Sequence, residues 1–211
     1  MVIQRTGPYA VKLSVSDQVV GINPPSKDSQ FKQTKYGCDV ALQSLNHPDF
    51  NGTDALGSKS KETYVIRGPG EYEINNIFIN GFDSYAKYDG VGEQINTIYS
   101  LIFDNMRVMY TGPLDRSEIT EAIQEDLYQT EILFIPIAGD NVLGADEAFK
   151  LAKKFSPRYV VPIGYDEKKN KADVDAFASL FGDHVTRSDK LTLKRKDLEG
   201  EHMDLIILTE Q

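Results

Sequence analysis

Tryptophan is absent from these 211 residues, cysteine occurs once and histidine three times. The lone Cys38 rules out an intramolecular disulfide and any cysteine-rich zinc site. No uninterrupted apolar run approaches the ~20 residues that a membrane helix needs. The opening residues Met1 to Pro8 also lack the apolar stretch of a signal peptide. A soluble, cytoplasmic chain is therefore expected, with no membrane partner. Asn51-Gly52-Thr53 fits the glycosylation pattern, but without secretion it carries no meaning. Positive charge is also scarce. Lys and Arg number 23 against 32 acidic residues, giving a net charge of −9 and making nucleic acid an unlikely partner. The basic runs at Lys150–Lys154 and Lys190–Lys196 are short and read as solvated faces.

The composition itself is that of an ordinary folded protein, with 40% hydrophobic and 26% charged residues. No break in it divides the chain, so a single domain over 1–211 is expected. Val2 to Arg5, Tyr9 to Val15 and Gln18 to Ile22 read as strands punctuated by Gly7-Pro8 and Pro24-Pro25. Residues 26 to 37 are polar and read as loop. A strand at 39 to 43 follows, then an exposed connection from Asn51 to Lys61 with one helical turn near Asp54. Asn75-Asn76 and Asp104-Asn105 are hairpin turns because both residue types tolerate positive φ. Asp83 to Gln94 is rich in Gly and Asp and reads as loop, so the first half is expected to be nearly all antiparallel β.

The second half changes period. Ile119, Ala122, Ile123 and Leu127 recur at helical spacing behind Ser117, the expected N-cap. Gly144 to Phe155 and Ala172 to Phe181 repeat the pattern. Between them, Glu131 to Ile137 and Tyr159 to Ile163 are short and almost wholly apolar, as strands buried on both faces are. Leu191 to Leu193 and Leu205 to Thr209 close the chain as strands. Helices layered on sheet are expected.

Cys38-Asp39-Val40-Ala41-Leu42-Gln43-Ser44-Leu45-Asn46-His47-Pro48-Asp49-Phe50 stands at the centre of this order. A small apolar strand runs into a loop that holds a His and an Asp two residues apart. Strand ends are where open α/β folds place chemistry.

In order and in motif the chain resembles the metallo-β-lactamase fold, and within it the small hydrolases related to L-ascorbate-6-phosphate lactonases. The stretches that carry the resemblance are Val20 to Pro24, Cys38 to Leu42, Ile66 to Ile74, Ile95 to Tyr99, Ile135 to Gly139 and Val160 to Tyr165. The resemblance implies a four-layer αββα sandwich. It also implies a dinuclear metal centre on a His-x-His-x-Asp-His loop, a later His, a bridging Asp and a final His, with a metal-bound water as nucleophile. On this chain the loop positions read Leu45, His47, Asp49 and Phe50, so two of four remain. The later His corresponds to Tyr88, the bridging acid to Pro113 after Gly112, and the final His to Gly164. The Asp that orients such sites corresponds to Asn23. His47 and Asp49 would fall in different half-sites, one ligand each.

The expectation is thus a catalytically degenerate member of the fold, a pseudoenzyme acting as a binding, scaffolding or oligomerisation module. It would have no catalytic residue, no bound metal or other cofactor, and an unknown protein partner or self-association. His47 and Asp49 are the vestigial metal candidates, and a hydrogen-bonded turn is the plainer reading of the pair. The alternative is a metal-dependent hydrolase of a small ester or lactone, holding zinc or another divalent ion around His47 and Asp49. In that case Asp83, Asp89, Asp115 or Asp166 would rebuild the site with oxygen ligands. His184 and His202 read as surface histidines, Cys38 as a core thiol, and Ser44 lacks a nucleophile elbow. Gly68-Pro69-Gly70 precedes a strand and so is a turn, not a phosphate cradle.

Overall fold

The structure is a computed structural model that describes residues 1–57, 62–138 and 141–211. The part of the expected exposed connection over 58–61, and Gly139, lie outside the described residues. Two sheets face each other. The first runs β13-β1-β2-β3-β4-β5, from β1 (Val2–Arg5), β2 (Val11–Val15), β3 (Gln18–Ile22), β4 (Val40–Leu42), β5 (Tyr64–Ile66) and β13 (Leu191–Thr192). The second runs β12-β14-β11-β10-β9-β8-β7-β6. Its members are β6 (Gly70–Ile74), β7 (Ile77–Lys87), β8 (Glu93–Phe103), β9 (Met106–Tyr110), β10 (Ile132–Pro136), β11 (Tyr159–Ile163), β12 (Val185–Ser188) and β14 (Asp204–Leu208).

The period of two in each strand decides which core a side chain joins. In β10, Ile132 and Phe134 enter the core between the sheets, while Leu133 and Ile135 meet the helices on the outer face. In β11, Val161 and Ile163 take the inner side and Val160 the outer. Both strands are buried along their whole length, as their unbroken apolar runs require. Three helices cover the second sheet: α1 (Glu121–Leu127), α2 (Ala145–Phe155) and α3 (Lys171–Ser179). In α2, Ala148, Leu151, Ala152 and Phe155 form the buried stripe. Acids in the first turn and Lys153 and Lys154 in the last complement its dipole, and Ser156 ends it at φ 48°. Over the first sheet the outer layer is a short 3₁₀ turn, Thr53–Leu56, with Leu56 buried against Cys38 and Ala41. The mixed α/β sandwich is the expected architecture.

Both asparagine-containing turns form as expected, with positive φ at Asn75, Asn76, Asp104 and Asn105. Three local expectations need correction, and one strand was not foreseen. Residues 83 to 94 are mostly strand: β7 and β8 pair from Phe78↔Ile102 to Lys87↔Glu93, and only 88 to 92 turn. Polar residues there are carried by the cross-strand ladder, while positive φ at Asp89, Gly90 and Gly92 makes the turn. The N-cap of α1 is Thr120, whose hydroxyl accepts from Ile123 N, rather than Ser117. The first half is not uniformly antiparallel, because β3, β4 and β5 run parallel and their long connections permit crossovers. The strand β12, parallel to β14, has too few apolar residues to announce itself.

Candidate functional site

The C-terminal ends of β3, β4, β9 and β11 deliver their following loops to one rim, which the turn of the β7–β8 hairpin also reaches. Leu45 and Phe50, at either end of the β4 loop, point inward and are 1% and 0% exposed. Burying each contributes roughly 1.5–3 kcal/mol. Tyr88 comes down from the hairpin turn, and Tyr9 crosses from the segment before β2. Their rings pack around Phe50, with centroids at 4.8 Å from Tyr9 and 4.8 Å from Tyr88, and 5.7 Å between the two tyrosines. The His47 ring stands edge-on to Tyr88 at 5.0 Å. Four rings therefore fill the space at the strand ends.

The two loop residues that could bear chemistry are engaged. Asp49 is 2% exposed, and its carboxylate accepts from Ser29 Oγ at 2.5 Å, Gln30 Nε2 at 3.1 Å and Tyr88 Oη at 2.9 Å. His47 Nδ1 accepts from the Asp49 backbone N–H at 3.3 Å, which leaves the proton of the neutral ring on Nε2. That nitrogen faces Asp89 Oδ2 at 3.5 Å. His47 to Phe50 form a hydrogen-bonded turn, and Asp89 stands beside it. Burial, with the Asp49 carboxylate adding to it, pushes the phenol of Tyr9 well above its ordinary range. Burial does the same to Tyr88, where Tyr9 and Asp49 add to it.

Beneath the rings lies a neutral polar layer. Asn23, at φ 49°, donates from Nδ2 to Ser44 Oγ (2.8 Å) and Tyr110 Oη (3.0 Å), and its Oδ1 accepts from Ser44 N at 2.7 Å. Tyr110 Oη donates in turn to the Tyr9 carbonyl. Asn96 Nδ2 donates to Ser84 Oγ and to the Thr111 carbonyl. Ser44 is thus a buried network member with no histidine beside it. Gly112, at φ 66°, has no room for a side chain, since a Cβ would stand 2.4 Å from Asn96 Oδ1. Gly164, at φ 74°, is equally constrained: a Cβ there would stand 2.7 Å from Tyr9 Oη.

Among the described residues no three His, Cys, Asp or Glu side chains are grouped so as to hold a metal ion. Asp115 turns to Arg116 and the Lys87 N–H, Asp83 is exposed on β7, and Asp166 caps the turn before α3. His184 and His202 lie apart on the surface with rings stacked at 4.9 Å, and Cys38 is fully buried. Sequence reasoning missed Tyr9, which reads as the start of a strand, and Ser29 and Gln30, which read as undistinguished loop. Only the crowding at Gly164 and the burial of Asp49 bring them out.

Outside the rings opens a cleft of about 550 Å³, lined among others by Tyr9, Tyr88, Asp89, Asn141, Gly164 and Lys169. Its size suits a small molecule, since such sites span roughly 300–1,000 Å³.

Burial makes the tyrosines a pH sensor of the fold. The phenols of Tyr9, Tyr36, Tyr88, Tyr99, Tyr110, Tyr159 and Tyr165 are all raised above 10.0, that of Tyr165 to about 12. A raised phenol contributes stability that is present below the unfolded value and lost as pH climbs through the folded one. Stability should therefore fall steeply above pH 10, with tyrosinate absorbance and loss of β-sheet circular dichroism rising together. A smooth titration of all tyrosines with the dichroism intact would contradict this.

The sequence profile of a family described as a beta-lactamase superfamily domain matches residues 3–164. No curated protein matches the chain in sequence. Among solved structures, a candidate zinc-dependent hydrolase of the metallo-beta-lactamase superfamily from Thermotoga maritima superposes with a TM-score of 0.79. It is 22% identical, and the match covers 100% of this chain and 99% of that one. A candidate metal-dependent hydrolase from Parabacteroides distasonis gives 0.65 at 18% identity, over 99% and 93% of the two chains. A metallo hydrolase from the archaeon Ignicoccus hospitalis gives 0.57 at 17% identity, over 85% and 91%. At these identities the likeness is one of fold.

Proposed function

The chain belongs to the family of metallo-beta-lactamase superfamily domains, and from that premise we propose that it is a non-catalytic member retained as a binding module. Within the family we read it beside the lactonase-like hydrolases, on Gly68 to Glu73 and Asn96 to Tyr99. The observation that carries the proposal is the filling of the strand-end site by Tyr9, Phe50 and Tyr88 around a carboxylate that already accepts three hydrogen bonds. A hydrolytic zinc ion needs about three protein ligands and an open position for water. The residues present do not fit it. Asp49 would have to give up Ser29, Gln30 and Tyr88, and His47 Nδ1 the Asp49 amide. The neighbouring volume is ring carbon. The cleft above the rings is the binding surface in this reading, and a protein partner or a second copy is the other means by which the module would act.

The rival is a metal-dependent hydrolase of a small ester or lactone built on His47 and Asp49, which the names of the structural neighbours favour. Metal analysis decides between them. Protein purified without chelator and then offered zinc, manganese or iron should carry far less than one ion per chain, and His47→Ala or Asp49→Ala should leave that content unchanged. Stoichiometric metal lost in either variant would establish the rival.

A further inference from the structure

We propose that the cleft takes a neutral, polyhydroxylated ligand of mono- to disaccharide size. The inference rests on the binding-module reading and adds the chemistry of the ligand. It starts from the groups that face the cleft and are not spent inside the protein. No hydrogen bond or ion pair among the described residues engages Tyr9 Oη, the Asn141 carboxamide or Lys169 Nζ. Gln30 gives its Nε2 to Asp49 and keeps its Oε1. Asp89 is largely exposed beside His47. This is a mixture of donors and acceptors, each single, and a polyol offers the same mixture at each carbon. Between them lie apolar edges, from Pro8, Phe31 and the glycines at 90 and 164, against which the C–H faces of such a ligand can rest.

Charge removes the other classes. Among the described residues the lining carries Asp89 and Asp166 against Lys169, a balance of one negative charge. A phosphate would look to the turn that leads into α3, where amide N–H groups gather next to Lys169. That position is already taken, because Asp166 Oδ1 accepts from the amides of Lys168 at 2.8 Å and Lys169 at 2.9 Å. Those contacts hold the Asp166 carboxyl below its ordinary range, so a carboxylate stays where an anion would go. A polycation would need the acidic groups without the ammonium of Lys169 in the same wall.

The test follows backbone amide shifts of Gly90 and Gly164 by NMR in the full chain, while D-glucose, myo-inositol or sucrose is titrated, with D-glucose 6-phosphate and spermidine as the anionic and cationic counterparts. Saturable shifts are expected with at least one neutral compound and weaker ones with both charged probes. Tyr9→Phe keeps the ring and removes only a hydroxyl that no described residue engages, so it should fold and bind about five- to tenfold more weakly, the worth of one hydrogen bond. Asn141→Ala gives the same readout from a second residue of the lining. Equal or tighter binding of either charged probe would overturn the ligand class, as would the absence of shifts from every neutral compound. Stoichiometric metal would instead overturn the non-catalytic reading, so the two failures are told apart.

Discussion

Replacing Arg5 by alanine is expected to cost about 3–5 kcal/mol of folding free energy, read as a lowered midpoint in urea unfolding. Arg5 lies on β1 and is fully buried, an unusual place for a guanidinium. Its Nε donates to the Leu208 carbonyl at 2.8 Å, Nη1 to the Tyr165 carbonyl at 2.9 Å and Nη2 to Glu167 Oε1 at 2.7 Å. The guanidinium also lies 4.1 Å from the Tyr165 ring centroid. One side chain thus ties the first sheet to β14 of the second and to the segment after β11 that forms a wall of the cleft. The ion pair with Glu167 is the smaller part of this, because Glu167 is 43% exposed and water replaces the lost partner. The larger part is the void left by the side chain and the orphaned Tyr165 carbonyl. Leu208 keeps the hydrogen bond from Tyr165 Oη. Arg5→Lys should be intermediate, since an ammonium cannot reproduce the planar fork. A loss under about 1 kcal/mol in the alanine variant would show that the three contacts do not act together.

Nothing in the neighbourhood of Arg5 forecasts this role. Within Val2 to Arg5 a terminal arginine reads as the exposed end of a strand, and its partners stand 160 to 203 residues away. Tyr9 is hidden for the same reason. The elements that could be read from the chain are those whose cause is local or periodic: β10 and β11 through continuous apolar runs, α2 through its stripe and charged ends, two hairpins through paired turn residues. The hairpin ladder over 83 to 94 was illegible because its stabilising partner is another polar strand. The centre of the site was legible in Leu45, His47, Asp49 and Phe50, whose residue types stand out against the family pattern. Tyr88 was legible as well, at the position where the resemblance expects the later His, whereas the ring of Tyr9 and the Ser29 and Gln30 donors to Asp49 arrive by tertiary contact.

That contact can be measured between Tyr9 and Gly164, and the pair gives the most direct test of how the site was closed. Gly164→Ala is expected to cost about 2–5 kcal/mol, from two separable causes. An alanine at φ 74° is strained by about 1–2 kcal/mol whatever the space. The remaining 1–3 kcal/mol, roughly, is the collision of the new methyl with the Tyr9 ring, whose nearest atoms lie 2.7 to 2.9 Å from it. Tyr9→Ala alone should cost about 3–5 kcal/mol by opening the aromatic cluster. In the double variant the collision disappears while the strain stays, so the sum of the single losses should exceed the double loss by about 1–3 kcal/mol. Gly90→Ala supplies the control. Its φ of 69° is nearly the same, but nothing stands within 4 Å of the added carbon. It should lose only the conformational part and show no coupling to Tyr9→Ala. Additive losses at Gly164 would mean that Tyr9 does not press on that position, and that glycine is required there by its backbone alone. Coupling at Gly164 without coupling at Gly90 would mean the reverse: with Tyr9 seated, the position where the resemblance expects the last metal ligand admits no side chain, so a histidine there and the ring of Tyr9 are mutually exclusive.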